Sequence, residues 1–225
     1  MRTALVIPAL NEAGAIGGVV RSVPPGVVSR VIVVDNGSTD GTAEAALAAH
    51  AEVVVEPRRG YGYACRAGVV AASDADVVAF LDGDGSFDAA DLPRVLAPLR
   101  ADEADLVLGS RTLAGQAGAV LPHARFGNSL TAALLYRLYG VQVTDLGPMR
   151  AIRRDLLLTL DMQEMIYGWP TEMMVKAARA RARIVEVEVS YRPRVAGQSK
   201  VSGTLTGSVR AGFQILRTTL RYALT

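Results

Sequence analysis

The chain predicts an α/β fold, a mostly parallel sheet flanked by helices on both faces. Strand-length apolar runs alternate with helix-patterned segments from residue 3 to residue 111, as repeated βαβ units do. The runs are near-continuous Val, Ile and Leu, which suits strands buried on both faces. Polar and charged residues gather where the runs end, and in such sheets ligands bind outside the carboxyl ends of the strands.

Taken in order, residues 3–9 read as a buried strand and 12–22 as a helix capped by Asn11. A second strand covers 28–35. The turn-rich "NGSTDGT" (36–42) follows, and Asp40 can cap the Ala-rich helix beyond it. The third strand is 52–57, followed by a glycine-opened helix over 60–73; the fourth is 75–82. Asp88 caps a helix over 89–100, and 105–111 is a fifth strand. Beyond it the pattern changes. Residues 112–122 read as a mobile loop, 124–139 as a helix, and 144–152 as a turn with a short strand. Helices are expected near 153–160 and 170–181. Residues 183–194 alternate like a half-exposed strand, and 195–204 form a polar, glycine-bearing loop. The last helix, 205–224, has an apolar stripe (Val209, Phe213, Leu216, Leu220) beside a polar one (Arg210, Gln214, Arg217, Arg221). It can dock on a core or rest on an anionic lipid surface.

The 225 residues are half hydrophobic and one-fifth charged, enough for a substantial core. We read one domain over 1–225, in three parts: 1–111, 112–204 and 205–225. The net charge of +2 is too small to call for a nucleic-acid partner. The lone Cys65 forms no intramolecular disulfide and suits a reducing compartment. With no signal-type opening and no run of about 18 apolar residues, a cytoplasmic chain is expected, free or peripheral on a membrane.

The chemistry concentrates at "VAFLDGDGSFD" (78–88). An apolar run ends in Asp82, Gly83 and Asp84, two like charges one residue apart. Such oxygens suit one hard divalent ion shared with phosphates, although a capped turn uses the same residues. Asp35 ends a strand where a carboxylate can meet a ribose or base, or cap a turn. Arg58, Arg59 and Gly60 precede a helix start that can favour an anion. There is no G-x-G-x-x-G after the first strand, no P-loop and no G-x-S-x-G. His50 and His123 lack metal-ligand spacing.

The segments "VIPALNEAGAI", "VIVVDNGSTDGT", "FLDGDGSFD" and "LVLGSR" stand in the order seen in glycosyltransferase family 2, which has the GT-A fold. "TDLGPMRAIRR", "GWPTEM" and "YRPRVAGQSKVSGT" resemble its branch of polyprenyl-phosphate sugar synthases, related to dolichyl-phosphate mannose synthases. The resemblance spans essentially the whole chain. It implies a Rossmann-like nucleotide-sugar-binding half (1–111), an acceptor-side half (112–204) and a C-terminal amphipathic helix (205–225). It implies that Pro8, Ala9, Asn11 and Glu12 line the nucleotide pocket, with Glu12 and Asp35 near base and ribose. Arg59, Gly60 and Gly83 join the donor side, as does Arg111, which faces the donor or the acceptor phosphate, and Asp82 and Asp84 hold Mg²⁺ or Mn²⁺ on the diphosphate. Arg150, Arg194, Ser199 and Lys200 are expected as an anion clamp for the acceptor. Some relatives carry Gln two residues after the acidic pair; here Ser86 stands there.

Asp145 and Glu172 are the remaining candidates for a catalytic base, alongside turn and helix-dipole roles. Asp84, Asp145 and Arg150 are the expected catalytic group. With no clear acidic pair, the expectation is inverting transfer from a UDP- or GDP-sugar to a polyprenyl phosphate, which needs no strong base. Transfer to a soluble small molecule and a non-catalytic nucleotide-binding module are the alternatives, and a homodimer is left open.

Overall fold

A computed structural model of the chain describes residues 1–111, 113, 122–145, 147–196, 217–218 and 221–222, with the backbone alone at 122–128 and 131. The elements in chain order are β1 (Thr3–Ala9), α1 (Ala13–Arg21), β2 (Arg30–Asp35), α2 (Thr42–Ala48), β3 (Glu52–Val55), α3 (Tyr61–Ala71) and β4 (Val77–Phe80). A single 3₁₀ turn (Ala89–Asp91) leads into α4 (Leu92–Arg100). Then come β5 (Leu106–Ser110), α5 (Pro122–Tyr139), β6 (Arg150–Arg153), α6 (Arg154–Thr159), α7 (Trp169–Arg179) and β7 (Ile184–Glu188).

Among the described residues, seven strands form one sheet in the order β3-β2-β1-β4-β6-β5-β7. Only β6 runs against its neighbours, pairing antiparallel with both β4 and β5. The alternate residues of each buried strand feed two cores. Val6, Val34, Phe80 and Leu108 face α3, α5, α6 and α7, while Leu5, Ile7, Val33 and Ala79 face α1, α2 and α4. This two-sided burial is why the strands read as unbroken apolar runs. The register sets Ala9 beside Asp35, so β1 and β2 end together, while β4 ends at Phe80 beside Val6, three residues before the end of β1.

Several local expectations differ from what is found. Glu12, not Asn11, occupies the N-cap position of α1, and its own side chain makes no capping hydrogen bond. Asn11 instead takes a left-handed backbone, φ 52°, a conformation asparagine tolerates better than most residues. Asp40 serves two helices: one oxygen accepts from the amide and hydroxyl of Thr42, the other from the Ala13 amide at the start of α1. The strand expected over 183–194 stops at Glu188. From there the chain becomes a strap across the acidic turn, with a lone bridge between Phe87 and Tyr191. Pro193 has no N–H to give a ladder, which suits departure from the sheet.

Most of the expected 112–122 loop, the 197–204 part of the polar loop, and most of the last helix lie outside the described residues. Residues 217–218 and 221–222 are helical. Among the described residues, no helix is long and apolar enough to cross a membrane.

Candidate active site

The acidic turn leaves β4 beside β1, with the Leu81 amide donating to the Val6 carbonyl. Asp84 is oriented from within the turn: its Oδ1 accepts the Ser86 amide at 2.9 Å. Asp82 carries a pKa pushed up from 3.8 to about 7, by burial first and by Asp84 second, with Arg150 and Arg111 pulling the other way. A carboxyl in that condition lacks enough positive charge around it. Among the described residues, no cluster of three or more His, Cys, Asp or Glu could enclose a metal ion. Two carboxylates alone would leave most positions of a hard divalent ion to a ligand.

The loops after β1 and β2 are laced together beside this turn. The Asn11 amide donates to Ser38 Oγ, and Asn11 Oδ1 accepts the Thr39 amide. The Glu12 amide donates to Thr42 Oγ1. Asp35 accepts the Ser38 amide. Pro8 and Ala9 are the last residues of β1, and the Ala9 carbonyl accepts the Asn36 amide. Asn36 was not anticipated. Its buried side chain donates to the carbonyls of Glu56 and Arg58 and accepts from the Gly60 amide, fixing the third loop to the second. Its position next to Asp35 in a turn-rich run was the available signal.

The third loop corrects one expectation. The start of α3 does not stand open to an anion. The amides of Gly62 and Tyr63 donate to the Ile166 and Met165 carbonyls, so the chain fills its own helix terminus. Gly62 permits this approach, because a Cβ there would overlap the Glu164 carbonyl oxygen. Arg58 pairs with Glu56 and lies over the Tyr63 ring. Arg59 remains exposed, donating to the Gly37 carbonyl.

The expected acceptor clamp is also redistributed. Arg111 and Asp145 form a bidentate pair, with both contacts at 2.7 Å. Burial works against the Arg111 charge, and Asp145 outweighs it, leaving the pKa raised. The guanidinium lies 5.1 Å from the Tyr191 ring centre and 5.7 Å from that of Phe87. Glu186, missed in the sequence because it sits in an alternating strand, accepts the amides of Thr144 and Asp145. Burial pushes its own pKa up.

Arg150 is not a free clamp. It is buried and donates to the carbonyls of Gly147, Pro148 and Pro170, beneath the acidic turn whose field it shares. Glu172 is not available as a base. Its fully buried carboxylate accepts the amides of Gln163 and Glu164 and pairs with Lys176 at 2.7 Å. Arg194, expected in the acceptor clamp, pairs instead with Glu12, a residue expected on the nucleotide side: Nη2 meets both Glu12 oxygens at 2.7 and 2.8 Å. Ser199 and Lys200 lie outside the described residues.

The chain matches the family described as glycosyl transferase family 2 over residues 4–160. It is 46% identical to an uncharacterized glycosyltransferase of Mycobacterium tuberculosis, across 92% of this chain and 93% of that one. It is 35% identical to an undecaprenyl-phosphate mannosyltransferase of Micrococcus luteus, across 92% and 90%. Among solved structures, glucosyl-3-phosphoglycerate synthase of Mycobacterium tuberculosis, with Mn²⁺, UDP and glucosyl-3-phosphoglycerate, matches with a TM-score of 0.80 at 26% identity. That match covers 99% of this chain and 80% of the other, and the same synthase is also solved with Mg²⁺ and UDP. The parallel sheet with one reversed strand is therefore a GT-A sheet, and this chain belongs to glycosyltransferase family 2.

Proposed function

We propose that the protein transfers a sugar, with inversion, from a UDP- or GDP-sugar to a polyprenyl phosphate, with Asp82 and Asp84 holding Mg²⁺ or Mn²⁺. The observation that carries this reading is the open carboxylate pair at the strand ends, with Asp82 pushed up to about 7. The donor set fits a hard divalent ion. Bound there, the ion offsets the charge that develops on the departing nucleoside diphosphate. The loops carrying Asn11, Glu12 and Asp35 border the same end of the sheet, where base and ribose would lie.

On the acceptor side, the two candidate bases are committed to cations and amides, Asp145 to Arg111 and Glu172 to Lys176. That favours an acceptor that is already a nucleophile. A phosphate oxygen is ionised at neutral pH and needs no proton removed. Its attack on the anomeric carbon breaks the bond to the diphosphate and inverts that centre. Arg111, held by Asp145 and close enough to lower the Asp82 pKa, is the cation assigned here to orient an anionic acceptor group. The likeness to an undecaprenyl-phosphate mannosyltransferase along nearly the whole chain supports the same acceptor class. Such an enzyme works at the inner face of the plasma membrane, touching it peripherally. The likeness to a phosphoglycerate-using synthase favours a second reading, a soluble phosphate-bearing acceptor.

The test uses purified protein, Mn²⁺, a panel of radiolabelled UDP- and GDP-sugars, and undecaprenyl phosphate. Label should move into organic solvent. Label that stays aqueous in a new glycoside, formed only when a soluble acceptor is supplied, selects the second reading. Donor that is bound but never consumed leaves only a binding module.

The Asp82 shift sets a pH dependence. The fold favours the protonated carboxyl, so the metal-free protein holds this contribution to stability below pH 4 and loses it as pH rises through about 7. An ion needs the ionised form. Affinity for Mn²⁺ should therefore climb about tenfold per pH unit up to neutrality and flatten above it. Titration calorimetry between pH 5.5 and 8.5 measures this; a flat profile removes Asp82 from the ligand set.

A further inference from the structure

We propose that Arg194 is the internal counter-cation of the Glu12 and Asp84 carboxylates, and that its guanidinium changes partners when metal and nucleotide enter together. This inference rests on the metal-binding reading above. Its basis is the placement of one side chain. Arg194 Nη2 bridges both oxygens of Glu12, Nη1 stands 3.9 Å from Asp84 Oδ2, and Nε donates to the Ala196 carbonyl at 2.8 Å. The guanidinium thus joins the nucleotide-side carboxylate to the acidic pair, with only a fifth of its side chain exposed.

The strap that carries it is fastened to the acidic turn itself. The Arg192 amide donates to the Ser86 carbonyl, Arg192 Nε to the Gly85 carbonyl, and the Val195 amide to the Asp84 carbonyl. Gly85 turns with φ +73°, and a Cβ there would stand 2.7 Å from Val195 Cγ2. The cation and the carboxylates are therefore parts of one connected unit.

The consequence for binding follows from charge. A divalent ion and the guanidinium draw on the same Asp84 carboxylate, so a bare ion must enter against a resident cation. A nucleoside diphosphate brings negative charge of its own. It can accept the guanidinium, leaving Asp84 to the ion. Ion and nucleotide then bind with positive coupling, and each favours the other by the same factor. Arg194 in this account orders ligand entry on the donor side and does not touch the acceptor.

The test is titration calorimetry with MnCl₂ alone, UDP alone and the two together, on the wild type, Arg194→Gln, Arg194→Lys and Asp84→Asn. Arg194→Gln should bind Mn²⁺ alone about tenfold tighter, with Mn²⁺–UDP coupling reduced by a similar factor. Arg194→Lys, which keeps the charge, should stay within about threefold of wild type for Mn²⁺ alone. If Asp84→Asn abolishes Mn²⁺ binding but Arg194→Gln binds it no tighter than wild type, the counter-cation role is wrong while the metal site stands. If Asp84→Asn binds Mn²⁺ like wild type, the metal reading fails and this inference falls with it.

Discussion

Asp84→Asn is expected to lower turnover by about 10²–10³-fold at saturating donor and metal, the loss typical of removing one charge-stabilising group from a reaction of this kind. The substitution is nearly isosteric, and an asparagine Oδ1 can still accept the Ser86 amide, so the turn keeps its shape. What disappears is the charge. Asp84 is also the second cause of the raised Asp82 pKa, so its removal lets Asp82 ionise more easily. The metal-free variant should consequently be as stable as wild type at pH 7, or slightly more so. The rise in melting temperature that Mn²⁺ gives the wild type should vanish. This pairing of an unchanged fold, a lost metal response and lost turnover separates a ligand from a structural acid. Turnover within threefold of wild type would leave the acidic turn a structural feature only.

The fold was legible because it depends on pattern. Buried strands need unbroken apolar runs, and the loops between them need turn residues; both are visible one residue at a time. The reversal of β6 was not legible. Its "RAIR" stretch pairs with β4 and β5 through backbone groups that every sequence possesses. The end of β7 depended on Pro193 and on the partners the strap finds in the acidic turn, which lie about a hundred residues earlier in the chain.

Site residues divided in the same way. Asp82, Asp84 and Asp35 stand out in the sequence because strand ends are where ligands bind, whatever the partners. The acceptor residues were harder, because charge type says nothing about who neutralises it. Arg150 looked like a phosphate clamp and is spent on three main-chain carbonyls. Arg194 looked like its companion and reaches across 182 positions to Glu12. In both cases the sequence named a cation correctly, and only the fold supplied its counterpart.

Glu172 is the sharpest case, and its replacement carries the largest expected effect on stability. The carboxylate has no exposure, accepts the Gln163 and Glu164 amides, and pairs with Lys176. It thereby sets the loop between α6 and α7, whose next two carbonyls close the start of α3. Glu172→Gln keeps the volume but removes the charge, leaving Lys176 the Asp161 carbonyl and the Tyr222 ring but not its counter-ion, and turning an NH₂ group toward amide donors. Breaking such a buried pair from one side costs about 3–5 kcal/mol. In a chain of this length that is a fall of roughly 10 °C in melting temperature. A structural role predicts that turnover, measured well below the new midpoint, stays within about tenfold of wild type with an unshifted pH profile. A catalytic base would instead cost about 10²–10⁴-fold and remove the acid limb of that profile. The second outcome, with melting unchanged, would return Glu172 to the chemistry and make a hydroxyl acceptor the better reading.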